Sequence, residues 1–246
     1  MKCVITQPDY IPWRGYFHQI RKADVFVFFD DVQYDRRGWR NRNRIKTPNG
    51  PIWLTIPVMN KGVRTNRTPI HQIQIDWTQD WVRKHWSTIE QAYGKAPFFA
   101  NYAQTIKSIY HQRTRFLADF TIDLTCHIAT VLGISSTKFI RSSSLGSSGT
   151  KTDRLLVILK KLGATHYITG PTAKNYLDED KLANSGISTE YMVYDYPPYE
   201  QLYPPYDPQV SVLDLLFMRG PDCGDFIWPE VSKIKEKAAV TIDSGL

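Results

Sequence analysis

From Arg36 to Lys46 the chain runs Arg-Arg-Gly-Trp-Arg-Asn-Arg-Asn-Arg-Ile-Lys, a stretch with six cations, two amides and one tryptophan but no acid. Arginine forks bind phosphate or carboxylate through paired hydrogen bonds, asparagine reads hydroxyls and amides, and an indole stacks on a base or sugar ring. Trp39, Arg40, Asn41, Arg42, Asn43, Arg44 and Lys46 are therefore candidate ligand-binding residues. In an extended segment, Arg40, Arg42 and Arg44 would share one face and Asn41 and Asn43 the other. Three readings fit this composition: a compact anion site, a nucleic-acid contact, and a solvated basic face.

Other residues with chemical potential sit in loops that follow apolar runs. Asp30 and Asp31 follow Val25 to Phe29, the most apolar run of the chain, where desolvation and mutual repulsion would raise one carboxyl toward general-base range. A turn cap or a partner for the nearby arginines is the competing role for this pair. The loop Gln7-Pro8-Asp9-Tyr10-Ile11-Pro12-Trp13-Arg14-Gly15-Tyr16-Phe17-His18 is stiffened by its prolines and opens a helix, an arrangement suited to a phosphate or carboxylate. It supplies Gln7, Tyr10, Trp13, Gly15 and Tyr16 as candidate ligands and His18 as a candidate proton carrier. Lys151 stands at the start of a helix behind the loop Ser142 to Gly149, which either cradles an anion or serves as a flexible connection, and Gly170 opens a fourth loop.

These loops need a frame. Val4 to Thr6 is expected to form a buried strand, a helix follows from Gly15 to Lys22, and Val25 to Phe29 has the continuous apolar character of a strand covered on both faces. Ile52 to Val58 is a further strand, reached through the turn Thr47-Pro48-Asn49-Gly50. Residues 76 to 133 carry helical stripes, first Trp77, Trp81, His85, Ile89 and Tyr93, then Phe116, Leu117, Phe120, Leu124, Ile128 and Val131. Beyond Gly133, strands at Lys138 to Arg141, His166 to Thr169 and Thr189 to Tyr194 alternate with helices. One of these begins at a capping box of Thr150 and Asp153, and another runs from Gly170-Pro171 to Gly186. Ser211 caps a last apolar helix that Gly220-Pro221 stops. The expectation is an α/β fold with a mostly parallel, Rossmann-like sheet in one domain spanning residues 1 to 246, with 76 to 133 a mainly helical insertion. In such sheets ligands sit beyond the carboxyl ends of the strands, so the loops at Gln7, Asp30 and Arg36 to Lys46 should border one cleft.

Composition narrows the class. The chain has 246 residues, 42% of them apolar and 13% aromatic, enough for a large core, and a formal charge of +7 that favours an anionic partner. No apolar run approaches the roughly 20 residues of a membrane helix. The start Met1-Lys2-Cys3-Val4-Ile5 breaks at Gln7-Pro8 without an export signal, so a cytoplasmic location is expected. Cys3, Cys126 and Cys223 are scattered and form no C-x-x-C pair, which predicts reduced thiols without a metal.

The segment Trp13-Arg14-Gly15-Tyr16 resembles, in spacing and position, the H-x-G-H element of nucleotidyltransferase-like α/β folds, but both histidines are missing, which supports the fold more than adenylyl transfer. A wider set of motifs resembles the WbqC-like family: Gln7 to Phe17, Asp24 to Gln33, Asn41-Arg42-Asn43-Arg44-Ile45, Trp53 to Val58, Tyr93 with Ala96-Pro97-Phe98, Gly163-Ala164, Gly170, Tyr176-Leu177 and Asp214-Leu215-Leu216. The resemblance covers essentially the whole chain and adds Gln33 to the candidate ligands. Family members often carry asparagine where this chain has Met218, a departure that bears on substrate choice.

The resemblance implies work in the biosynthesis of O-antigen and other cell-surface polysaccharides, since the family is usually met beside genes for these and for aminosugar and sugar-nucleotide enzymes, and some members are described as glycine transferases. The implied activity is transfer of an acyl group, such as an amino acid, to a nucleotide-linked aminosugar. The nucleotide-linked sugar would meet Arg40, Arg42 and Arg44 with its diphosphate, and Asp31 or His18 would deprotonate the sugar ammonium. The acyl donor is open between an aminoacyl-tRNA, a carrier thioester and an activated amino acid, and no cofactor is identified. A non-catalytic sugar-nucleotide or RNA-binding module and an ATP-using nucleotidyltransferase-like enzyme are the alternatives.

Overall fold

A computed structural model describes residues 1 to 59 and 61 to 228; residues 229 to 246, part of the domain span expected above, lie outside the described residues. The chain opens with β1 (Lys2–Thr6), α1 (Arg14–Lys22) and β2 (Val25–Phe28). The next two strands, β3 (Arg42–Thr47) and β4 (Gly50–Thr55), pair only with each other, antiparallel, around the turn at Pro48 and Asn49. The expected strand Ile52 to Val58 thus begins earlier and belongs to this hairpin. Three helices, α2 (Trp81–Tyr93), α3 (Phe99–Tyr110) and α4 (Leu117–Val131), occupy the span of helical periodicity. After them come β5 (Lys138–Arg141), α5 (Lys151–Leu162), β6 (His166–Thr169), α6 (Glu179–Ala183), β7 (Ser188–Tyr191), α7 (Val212–Arg219) and α8 (Cys223–Ile227).

β1, β2, β5, β6 and β7 form one parallel sheet in the order β5-β2-β1-β6-β7. Alternate residues feed two cores. Val4, Phe26, Phe28 and Ile168 pack with α1, the helical block and α7, whereas Cys3, Ile5, Val25, Val27 and Tyr167 pack with α5 and α6. A strand covered on both faces needs apolar residues at every position, which is why β2 reads Val-Phe-Val-Phe without alternation. The order reverses between β1 and β6, so the crevice beyond their carboxyl ends is the topological switch point of a doubly wound sheet.

Three local expectations changed, the first being the last strand of the sheet, which ends at Tyr191 instead of Tyr194. Between Gly170 and Gly186 a 3-10 turn (Pro171–Asn175) and the five-residue α6 replace one long helix. The capping box at α5 does not form: Thr150 makes no side-chain cap bond, and the Asp153 carboxylate pairs instead with Lys181. The cap at α7 is present, Ser211 Oγ accepting from the Leu213 amide at 3.2 Å. Cys3, Cys126 and Cys223 are free, and no helix among the described residues is long and apolar enough to cross a membrane.

The β1 to α1 loop is pinned to the helical block through a buried relay. His85 Nε2 donates to the Thr55 carbonyl at 3.1 Å, so its Nδ1 accepts from Tyr10 Oη at 2.9 Å, and Tyr10 Oη lies 2.5 Å from Tyr110 Oη. Burial pushes the His85 imidazole down to about 4 from an ordinary 6.5, against a smaller opposing effect of the Thr55 carbonyl. The unfolded chain therefore binds the proton more readily, and the stability contributed by neutral His85 is present above 6.5 and lost as pH falls toward 4. Chemical denaturation across that range should show wild-type stability dropping by up to about 1.4 kcal/mol per pH unit more steeply than His85→Gln. Parallel pH profiles would contradict the relay.

Candidate functional site

The switch-point crevice is a cleft of about 800 Å³. β1 delivers Thr6 and Gln7, the segment after β2 delivers Asp31 and Gln33, the hairpin approach delivers Arg40, and the segment ahead of the Pro69 turn delivers Arg67. From the opposite core come Gly149, Thr150, Lys151 and Arg154 at the start of α5, and the segment after β6 supplies Thr172 and Tyr176. Four cations and one carboxylate thus share one cavity. Its far side is the N-terminus of a twelve-residue helix, whose dipole favours an anion. Lys151 and Arg67 both have left-handed backbone, with φ of 48° and 49°, an uncommon conformation for residues other than glycine.

Asp30 and Asp31 divide in function although they are adjacent. Asp30 is fully buried and accepts from Ser143 N at 2.9 Å, Ser143 Oγ at 3.0 Å and Ser142 Oγ at 3.2 Å, so it ties the end of β2 to the end of β5. Asp31 faces the cleft, but both of its oxygens are engaged: one accepts from Ser142 Oγ at 2.5 Å, the other from Ser147 Oγ at 3.3 Å and from Arg154 Nη2 at 2.5 Å. In the Ser142 to Gly149 loop the hydroxyls of Ser142, Ser143 and Ser147 therefore serve the protein's own carboxylates, Ser144 donates to the Arg141 carbonyl, and Lys161 holds the Leu145 and Gly146 carbonyls.

Of the basic segment, only Arg40 reaches the cleft. Its Nη1 donates to Gln7 Oε1 at 2.5 Å and its Nη2 pairs with Asp9 at 2.8 Å. Arg42 donates to the Arg37 carbonyl at 2.6 Å and lies over the Trp53 ring, and Arg44 holds the Gln209 carbonyl at 2.8 Å. Lys46 is buried, with its ammonium on the Pro205 carbonyl. Asn41 donates to the Ile56 carbonyl at 2.8 Å, and Asn43 to the carbonyls of Tyr10 and Ile11 at 3.0 and 2.8 Å. The segment is extended with its asparagines inward, as its alternation implies, but the outward arginines Arg42 and Arg44 clamp neighbouring backbone instead of lining the cleft.

The remaining candidates take several places. Tyr10 belongs to the buried relay, and Tyr16 Oη donates to the Gln7 carbonyl at 3.0 Å, setting the loop above β1. Gly15 is dictated by packing, since a Cβ there would fall 2.4 Å from the Trp13 ring. His18 Nδ1 lies 2.9 Å from Tyr196 Oη and does not line the cleft. Gly170 carries the chain past Tyr194, and Met218 packs partly buried on α7. Trp13 and Trp39 line a second cavity of about 480 Å³ together with Asp9, Asn43 and Tyr194. Burial raises the Asp9 carboxyl above its ordinary range, and Arg40 draws it partly back. Arg67 and Arg154 are not marked by the sequence reading, and Tyr176 enters it only within the Tyr176-Leu177 motif; for Arg154 the three-residue step from Lys151 at a helix start is the available signal.

The WbqC-like protein family model matches residues 7–225. A protein of Mycobacterium tuberculosis named Uncharacterized protein Rv1507c is 40% identical over 229 residues, covering 92% of this chain and 97% of the relative. No solved structure matches. With nearly its whole length matched by the family model, the chain belongs to the WbqC-like protein family.

Proposed function

We propose that this protein is a transferase that holds a nucleotide-linked sugar by its diphosphate in the switch-point cleft and promotes attack of that sugar's amine, its ammonium proton lost to solvent, on an activated acyl donor, the acyl–carrier bond breaking and the carrier leaving as the amide forms. The observation that carries this reading is the convergence of Arg40, Arg67, Lys151 and Arg154 with the N-terminus of α5 in one cavity of about 800 Å³. A diphosphate needs several cations and backbone N–H groups, and the volume suits a molecule of nucleotide-sugar size. Tyr176, 57% exposed, offers a ring face to a base, and Gln7 and Gln33 offer amides to hydroxyls. Backbone held in left-handed conformations at Arg67 and Lys151 fits a site whose geometry is fixed before the ligand arrives.

Adenylyl transfer is the weaker reading. The positions that would carry imidazoles hold Trp13 and Tyr16, whose ring and hydroxyl are committed to packing and to the Gln7 carbonyl. The geometry also favours Asp31 as the group that positions Arg154 over Asp31 as the proton acceptor, because its oxygens already hold two serines and an arginine.

Calorimetric titration with UDP tests the anion site. Lys151→Ala and Arg67→Ala should each weaken binding about tenfold, roughly 1.4 kcal/mol, while Arg42→Ala and Arg44→Ala should leave affinity within about twofold of wild type. The reverse ranking would move the site to the hairpin.

Asp31→Asn separates the two roles of Asp31. The pair is mostly shielded, with side chains 12% and 21% exposed, so losing its charge should cost about 1 to 3 kcal/mol of stability. UDP should then stabilise the variant more than it stabilises wild type, because it supplies the counter-charge Arg154 has lost. A variant of unchanged stability and unchanged UDP response, but without turnover, would make Asp31 the base instead.

A further inference from the structure

The cleft and the second cavity have opposite polarity and share one ion pair. Arg40 lines the cleft, Asp9 lines the cavity, and 2.8 Å separates their paired atoms. The cavity has no cationic side chain among its lining residues. Three aromatic side chains, Trp13, Trp39 and Tyr194, form its walls, with Trp13 and Tyr194 meeting edge to face at 4.9 Å and Trp39 42% exposed. Asn43 donates to two backbone carbonyls, and the Gln209 side-chain oxygen accepts from Arg44 at 3.0 Å. Asp9 is thus the one ionisable side chain that borders the cavity, and Arg40 is its charge partner.

Aromatic faces around a single carboxylate attract an organic cation, through the ring quadrupoles and through direct charge pairing, and both interactions strengthen when water is excluded. A saturated ring with an apolar C–H face and an ammonium group satisfies the walls and the carboxylate together. Phosphate satisfies neither, and belongs across the ion pair in the cationic cleft.

We propose that the aromatic cavity beside Asp9 binds the ammonium-bearing ring of the acceptor, an aminopyranose in its charged form, while the phosphates of the same substrate lie in the cleft. The proposal rests on the nucleotide-sugar reading for the phosphate half only; the recognition of the ammonium stands on the cavity itself. The high cost of ionising Asp9 in its buried setting, only partly offset by Arg40, is consistent with a cation completing the site.

Ligand-observed NMR titration with methyl glucosaminide and methyl glucoside probes the cavity, and UDP probes the cleft independently. Methyl glucosaminide should bind at least tenfold more tightly than the neutral glucoside. Trp39→Ala, a change at a half-exposed side chain, should weaken glucosaminide binding tenfold or more and leave UDP affinity within twofold. Asp9→Asn should remove the preference for the charged sugar. Equal binding of the two sugars to wild type, or glucosaminide binding indifferent to Trp39→Ala, overturns the proposal. Glucosaminide binding that depends on Trp39 in a protein that fails to bind UDP would uphold the cavity and sink the phosphate cleft.

Discussion

Two adjacent carboxylates at the end of the most apolar strand must be satisfied, and much of the site follows from how that is done. An ionised carboxylate left unpaired in the interior costs several kcal/mol. Asp30, with no exposure, is met by a backbone amide and two hydroxyls of the segment after β5. Asp31 reaches further along the same segment and engages Ser147 and then Arg154 on α5. Together they fasten the ends of β2 and β5 and the first turn of α5, which fixes the helix N-terminus against the switch point. The cleft is cationic because α5 brings Lys151 and Arg154 to this place while Asp31 neutralises only part of that charge.

Opposite α5, a second clamp sets the β1 to α1 loop. Gln7 and Asp9 hold Arg40, Asn43 holds the carbonyls of Tyr10 and Ile11, and the buried hydroxyl relay holds Tyr10 from below. Ile11 has φ of 37°, a strained value for a β-branched residue, which persists because its surroundings over-determine it. The basic segment from Arg36 to Lys46 is consequently more a brace than a ligand surface: it lends Arg40 to the cleft and spends most of its remaining charge on backbone carbonyls.

How far the sequence revealed this depended on the range of the interaction. The parallel sheet was legible because a doubly covered strand leaves a mark in every residue, as in Val25 to Phe28, and the helical block because Trp81, His85, Ile89 and Tyr93 repeat on one face. The extended character of the hairpin arginines was legible from period two alone. Their targets were not, since Arg44 meets Gln209, 165 positions away, and Arg154 meets Asp31, 123 positions away. Asp214 shows the same boundary: it is fully buried among the hydroxyls of Tyr93 and Tyr199 and the amide of Gln201, and no local pattern distinguishes such a core acid from a catalytic one.

The switch point of the parallel sheet is the place the proposed small-molecule site would occupy, between β1 and β6, with phosphate recognition by α5 as the step on which the functional reading turns. A crystal structure of the protein soaked with UDP-glucosamine would locate that phosphate directly. It should place the diphosphate within hydrogen-bonding distance of Lys151 and the first backbone N–H groups of α5, with Arg67 alongside. A diphosphate lying instead against Arg42, Arg44 and Trp53 on the hairpin would contradict the account.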